Sequence, residues 1–374
     1  MNYDTLLTSL RESGNFRTVP PDSVLSSLVD FSSNDYLGIT DRADLHAEFL
    51  ASGKAASAPF SSAASRLLAR VQDCYADFES LLSSAYDRSV LTFNSGYHAN
   101  SGLIPAITDS NTLILADRLV HASIIDGIML SKCRFTRFRH NDIAHLEQLI
   151  KRERPSGDNI LIVAESVYSM DGDQAPLEEL IELKKRYPGI VIYLDEAHAL
   201  GVEGPRGLGL AMASSSPEAF DVVIGTLGKA AGSVGAFAAM SSTLRDVAVN
   251  KARSFIFSTA LPPINIAWST FILEKIFSMD PERVHLKQLS HQLSDGLAPI
   301  SLTPPPASHI QPYIVGDSHK AVALSRSLAE VGLKVLPIRT PTVPPGTERL
   351  RLSLSASMSS ADIDMLVNAL KSLV

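Results

Sequence analysis

The chain has 374 residues, of which 45% are hydrophobic and 20% charged, and it carries a formal net charge of -7. That length leaves room for two or three packing units around a large core, and the composition excludes a disordered or fibrous chain. The acidic balance argues against a nucleic-acid partner, since such binding needs a basic face. Cys74 and Cys133 show no CxxC or Cys/His spacing, which suggests neither a disulfide framework nor a zinc centre, so no metal is expected. The N-terminal MNYDTLLTSLRESGNF lacks a continuous apolar stretch, and no run of about eighteen apolar residues occurs anywhere. The expectation is a cytoplasmic protein with no membrane span.

In chain order, the runs SVLTFN at 89–94, TLILAD at 112–117, NILIVAE at 159–165, IVIYLD at 190–195 and DVVIGT at 221–226 read as strands. Helix-like segments separate them, which predicts an α/β fold with a mostly parallel sheet buried on both faces. Asn94, Glu165, Asp195 and Thr226 close four of these strands, and ligands of open α/β sheets bind beyond the carboxyl ends. After Pro262 and Pro263, INIAWSTFILEKIF reads as a long helix, with proline suited to its first turn, placed to join two units. The prolines at 304–306 precede HIQPYIVGD, a helix-like 318–331 and RLRLSLSA, which predict a smaller C-terminal α/β unit.

The chemistry turns on DVVIGTLGKAAG at 221–232, where glycines surround Lys229. One reading is a phosphate-binding loop, favoured by LDEAH at 194–198, which matches the acidic box of ATP-driven helicases. A phosphate loop needs G-x-x-x-x-G-K-[ST], but Val223 replaces its first glycine and Ala230 its hydroxyl. The order is also reversed, because that loop precedes the acidic strand. The second reading is a lysine for Schiff-base chemistry, with Gly228, Ala230, Ala231 and Gly232 leaving space for a flat aldehyde cofactor.

Pyridoxal 5′-phosphate (PLP) acts as an electron sink when its ring nitrogen stays protonated, which a buried carboxylate enforces. Asp195, at the end of IVIYLD, suits that task, with Ala197 packing under the ring. His198 is positioned for the ring's phenolic oxygen, and His121 in DRLVHAS for stacking on the opposite face. The helix beginning in FNSGYHANSG offers unpaired amides of Gly96 and Tyr97 to an anionic phosphate.

FSSNDYLG at 31–38, FNSGYHAN at 93–100, DRLVHAS at 117–123, SVYSMDGDQAPL at 166–177, LDEAHALGVEG at 194–204, TLGKAAG at 226–232 and FSTALPP at 257–263 together resemble the α-oxoamine synthases. The match runs in order along nearly the whole chain. The resemblance implies PLP-dependent transferases of fold type I, with a mostly parallel central sheet in a large domain and a smaller C-terminal α/β domain. The implied division is an N-terminal arm at 1–38, a PLP-binding domain at 39–275 and a small domain at 276–374. By motif, Lys229 resembles the lysine that carries the cofactor, Asp195 the ring-nitrogen partner, His198 and Ser169 the groups near the ring oxygen, and His121 the stacking residue. Gly96, Tyr97 and Thr226 join the cofactor-binding set. Ser258 and Thr259 match residues that reach the cofactor phosphate of a neighbouring subunit, which implies a homodimer with shared sites.

Arg351 in RLRLS matches the arginine that grips the amino-acid carboxylate, a role suited to a planar guanidinium, and Asn34 matches a second contact to it. HIQPYIVGD and RTPTVPPGTERLRLSLSA resemble the branch that condenses L-alanine with a pimeloyl thioester, carried on coenzyme A or an acyl carrier protein. A branch using glycine and acetyl-CoA is the alternative. Arg17 is the candidate for the far carboxylate of the pimeloyl chain. Two departures stand out. Where the family has a glycine-rich stretch, 57–70 reads SAPFSSAASRLLAR and keeps only Ser65 and Arg66 of its ending, and Phe257 replaces a frequent tyrosine.

Overall fold

The computed structural model describes residues 2–19, 28–153 and 159–373. It divides into two units, one built from Gly38–Tyr168 and Gln174–Asp280, the other from the chain up to Leu37, Ser169–Asp173 and Pro281 onward. Among the described residues, the larger unit holds strands β1 (Ser89–Phe93), β2 (Thr112–Asp117), β3 (Arg134–Phe138), β4 (Asn159–Glu165), β5 (Ile190–Asp195), β6 (Val222–Thr226) and β7 (Ala236–Met240). They form one sheet in the order β1-β7-β6-β5-β4-β2-β3. Only β7 pairs antiparallel with its neighbours; the other pairings are parallel.

The sequence logic of a sheet covered on both faces holds one strand in from its edge, where all six residues of β2 are buried. Two strands carry no such signal. β7 reads AFAAM, and alanine has little preference for strands, yet all five residues are buried. β3 reads RFTRF and lies at the sheet's edge, where Arg134 and Arg137 meet solvent. Helices α1 (Gly96–Ile107) and α2 (Ala122–Ser131) follow β1 and β2. Ser95 starts α1 by accepting the amide of His98 at 3.2 Å, one of the caps that satisfy a helix's free first-turn donors.

Helix α3 (Pro263–Ile276) begins at the prolines as expected but does not join the units. It lies wholly within the larger unit and buries Ile266, Phe271, Ile272 and Leu273, so its apolar length serves packing. The chain passes between units at Asp280–Pro281, in the first turn of α4 (Asp280–Leu297).

In the smaller unit, β8 (Ile310–Ile314), β9 (Leu336–Ile338) and β10 (Arg349–Ser353) form an antiparallel sheet with β10 central. The early chain is stitched to it: the amide of Ser353 donates to Phe31 O at 2.8 Å, and that of Ala356 to Tyr36 O at 2.8 Å. Gly172 belongs to the same unit with a φ of +71°, and a Cβ there would stand 1.9 Å from Ile310 O. Only glycine tolerates both the left-handed backbone and this approach. Among the described residues no helix is long and apolar enough to cross a membrane.

Candidate active site

In the larger unit the carboxyl ends of β5 and β6 and the starts of α1 and α2 gather polar side chains. Asp195 closes β5 and is 5% exposed. Its Oδ1 accepts the Ala197 amide at 2.9 Å, and its Oδ2 accepts Asn100 Nδ2 at 2.7 Å. Asn100 also donates to Ser123 Oγ at 3.0 Å, and its Oδ1 takes the Tyr193 hydroxyl at 2.7 Å. Ser123 Oγ lies 2.7 Å from His121 Nδ1, so one chain of hydrogen bonds runs from Asp195 through Asn100 and Ser123 to His121.

His121 caps α2, with Nδ1 accepting the Ser123 amide at 3.2 Å. An acceptor nitrogen carries no proton, so this bond favours the neutral ring. Burial also lowers the His121 pKa; the Asp195 charge opposes that shift, and the Lys229 charge adds to it.

Lys229 lies in the turn between β6 and β7, half-buried, with Nζ 2.8 Å from His198 Nε2. The turn is closed by the Gly232 amide on Lys229 O at 2.8 Å, and Trp268 Nε1 donates to Gly232 O at 3.1 Å. Gly232 has a φ of +53°, and a Cβ would come within 2.8 Å of Ile39 Cγ2, so the glycine three residues after the lysine shapes this turn. Gly96 and Thr226 are also brought together: a Cβ on Gly96 would lie 3.7 Å from Thr226 Oγ1. Gly96 and Tyr97 occupy the first turn of α1, where helix geometry leaves amides without intrahelical acceptors.

Other expected residues sit apart. The Tyr97 hydroxyl donates to Asp126 on the surface. Ser258 is half-buried, while Thr259 is exposed and bridges to Ser65, its carbonyl accepting Asn94 Nδ2 at 2.6 Å.

The smaller unit brings together the residues expected at the amino-acid carboxylate. Arg351 is 5% exposed on β10. Its Nε donates to Ser169 O at 2.5 Å, Nη1 to Ser353 Oγ at 2.6 Å, and Nη2 to Asn34 Oδ1 at 3.1 Å and Tyr36 Oη at 3.3 Å. Every one of these acceptors is neutral. A buried cation held only by neutral oxygens keeps its charge for an anion, because burial without a counter-charge is costly. Asn34, Ser169 and Arg351 thus form one cluster, with Ser169 contributing its carbonyl. Arg17 stands elsewhere, exposed, donating to Thr342 Oγ1 at 3.0 Å.

Sequence reasoning missed Asn100, Ser123 and Tyr36. The signal for Asn100 was its place four residues beyond Gly96, on the same face of α1. Glu165 stood out as a polar strand end without a task; it accepts the His121 amide, and burial, then the Asp195 charge, pushes its carboxyl up to about 8. Burial likewise lifts Glu196 to about 7.

A family model described as "Aminotransferase class I and II" matches residues 26–370. A protein of Pasteurella multocida named "Putative 8-amino-7-oxononanoate synthase" is 44% identical over 381 residues, covering 99% of this chain and 98% of its own. A serine palmitoyltransferase variant of S. paucimobilis with bound PLP-myriocin aldimine superposes with a TM-score of 0.88 at 27% identity, covering 99% of this chain and 96% of the other. The 8-amino-7-oxononanoate synthase of Francisella tularensis gives a TM-score of 0.77 at 26% identity, covering 92% and 97%. The chain therefore belongs to the class I and II aminotransferase family, with the fold of its PLP-dependent type I enzymes. Within that family it is an acyltransferase of the α-oxoamine synthase group.

Proposed function

We propose that this enzyme condenses L-alanine with a pimeloyl thioester, releasing carbon dioxide and the free thiol carrier, to give 8-amino-7-oxononanoate for biotin synthesis. The observation that carries the reading is the Lys229 amine, 2.8 Å from His198 and in the same unit as the buried Asp195 carboxylate. PLP, the cofactor of this family, supplies an electron sink for the alanine α-carbon when bound.

The residues present fit that group. Both Asp195 oxygens accept from neutral N–H donors, so its charge remains available to a protonated ring nitrogen. The first turn of α1, with Gly96, Tyr97 and the adjacent Thr226, suits the phosphate, and Lys229 would hold the aldehyde carbon. Lys229 would also serve as the base at the α-carbon, its Nζ oriented by His198. His121, whose Nδ1 accepts the Ser123 amide, would cover the ring, and His198 would attend its phenolic oxygen; Ser169 is assigned to that oxygen by family resemblance alone. Arg351 and Asn34 would bind the alanine carboxylate, the group lost as carbon dioxide. Cys74 and Cys133 are unpaired thiols, which suits the cytoplasm.

The test is product analysis by mass spectrometry, offering L-alanine and glycine in competition with pimeloyl, acetyl and longer thioesters. The expected product is 8-amino-7-oxononanoate. A predominant product from glycine and acetyl-CoA overturns the reading.

The enzyme works in this proposal as a homodimer, with Ser258 and Thr259 serving the neighbour's cofactor phosphate. Phe60, Leu68 and Phe257 of the larger unit are 83%, 76% and 71% exposed, apolar area that a second copy would cover. Sedimentation of the active enzyme at twice its 40.2 kDa is expected; an active species at the single-chain mass rules the dimer out.

A further inference from the structure

Asp117, Glu165 and Asp195 close β2, β4 and β5, three consecutive strands of the sheet, and Glu165 is directly registered with Asp195. All three are buried, at 0%, 2% and 5% exposure. Their hydrogen bonds differ. Asp117 accepts the amides of Leu119 at 2.8 Å and Asn141 at 2.9 Å and meets His140 Nδ1 at 2.9 Å. Asp195 has its two N–H donors, from Ala197 and Asn100. Glu165 has the His121 amide.

Three buried anions in a row repel one another strongly, and a shared proton relieves the repulsion at the carboxylate whose ionised form is least supported. That position is the middle one. We propose that Glu165 is a neutral carboxylic acid in the working enzyme and acts as a positioning residue, fixing the main chain at His121 and leaving Asp195 as the anion of the site. The inference rests on the roles given above to Asp195 and His121. A protonated carboxyl keeps its carbonyl oxygen, so the His121 amide retains its acceptor.

The groups acting on Glu165 come from each neighbouring element. Asp195 on β5 and Asp117 on β2, the latter paired with His140, favour the proton; Lys229 after β6 and the His121 amide at α2 oppose it. Burial is the largest influence and acts with the two aspartates.

The experiment is an infrared pH titration of the wild-type holoenzyme and of Glu165→Gln. The wild type is expected to show a protonated-carboxyl carbonyl band at neutral pH that disappears with a midpoint of about 8, and the variant to lack it. Identical spectra overturn the proposal. If Glu165→Gln does not fold, the same titration in Glu196→Gln decides, because that variant removes the other buried acid whose band falls in this range: a surviving band supports the proposal and none overturns it.

Stability gives an independent readout. The folded state holds the Glu165 proton that the unfolded chain releases near 4.5, so wild-type stability falls relative to Glu165→Gln as pH rises from about 5 to about 8. A constant difference in melting temperature across that range overturns the proposal. In turnover, Glu165→Ala is expected to lower kcat by about 10- to 100-fold through misplacement of His121, and Glu165→Gln to recover most of that loss; equal defects in both variants also overturn it. The band and the melting curves report the proton whichever thioester the enzyme uses, so a failed product assay cannot be mistaken for failure here.

Discussion

Lys229→Ala is expected to lower turnover by at least about 10⁴-fold, the largest effect of any substitution considered for this enzyme. A positioned general base contributes on the order of 10²- to 10⁴-fold, and in the proposed function this side chain also provides the covalent link to the cofactor. Both are lost together, and His198 loses the amine 2.8 Å from its Nε2. The fold should survive, because Lys229 is half-buried and its turn is held by main-chain bonds through Gly232. The measurement is borohydride reduction followed by peptide mass mapping alongside the turnover assay. The wild type is expected to retain PLP covalently at Lys229, and the variant at no residue. Modification of another lysine in the variant, or turnover within about 100-fold of wild type, shows that the base lies elsewhere.

The parts of the fold legible in the sequence are those where one force dominates. Strands such as TLILAD and IVIYLD are continuous apolar runs, and their ends coincide with the observed Thr112–Asp117 and Ile190–Asp195. AFAAM escaped because alanine gives neither periodicity nor strand preference; its place in the sheet comes from antiparallel pairing with β1 and β6, a property of the whole sheet. RFTRF escaped because an edge strand needs only one side paired and carries charge on the other.

The site divides in the same way. The places of Lys229 and Asp195 were legible because their signals are local, a lysine among small residues and an acid closing a buried strand. Asn100 was not, since its importance lies in the two donors of its amide reaching Asp195 and Ser123, groups 95 and 23 residues away in the chain. Arg351 was singled out only through family resemblance. Its sequence context is that of a surface strand charge, and its burial against Asn34, Tyr36 and Ser169 depends on segments distant in the chain.

Asp195→Ala should impair both cofactor retention and turnover, and Asp195→Asn should separate the two causes. Removing one member of a buried charge pair costs roughly 3 to 5 kcal/mol, equivalent to about 10²- to 10³-fold in affinity or more. In the alanine variant the Asn100 amide and the Ala197 N–H also lose their acceptor, which adds the penalty of buried unsatisfied donors. Asparagine restores the volume and one acceptor oxygen but turns a second donor toward Asn100 or Ala197, and it carries no charge for a protonated ring nitrogen. Titration of PLP into each apo variant, followed by its visible absorbance, should therefore show weakened binding in both, with the alanine variant weaker. If the charge is the essential feature, turnover fails in both even at saturating cofactor, because neither side chain keeps a proton on the ring nitrogen. Full turnover of Asp195→Asn at saturating PLP would mean that the carboxylate serves packing alone.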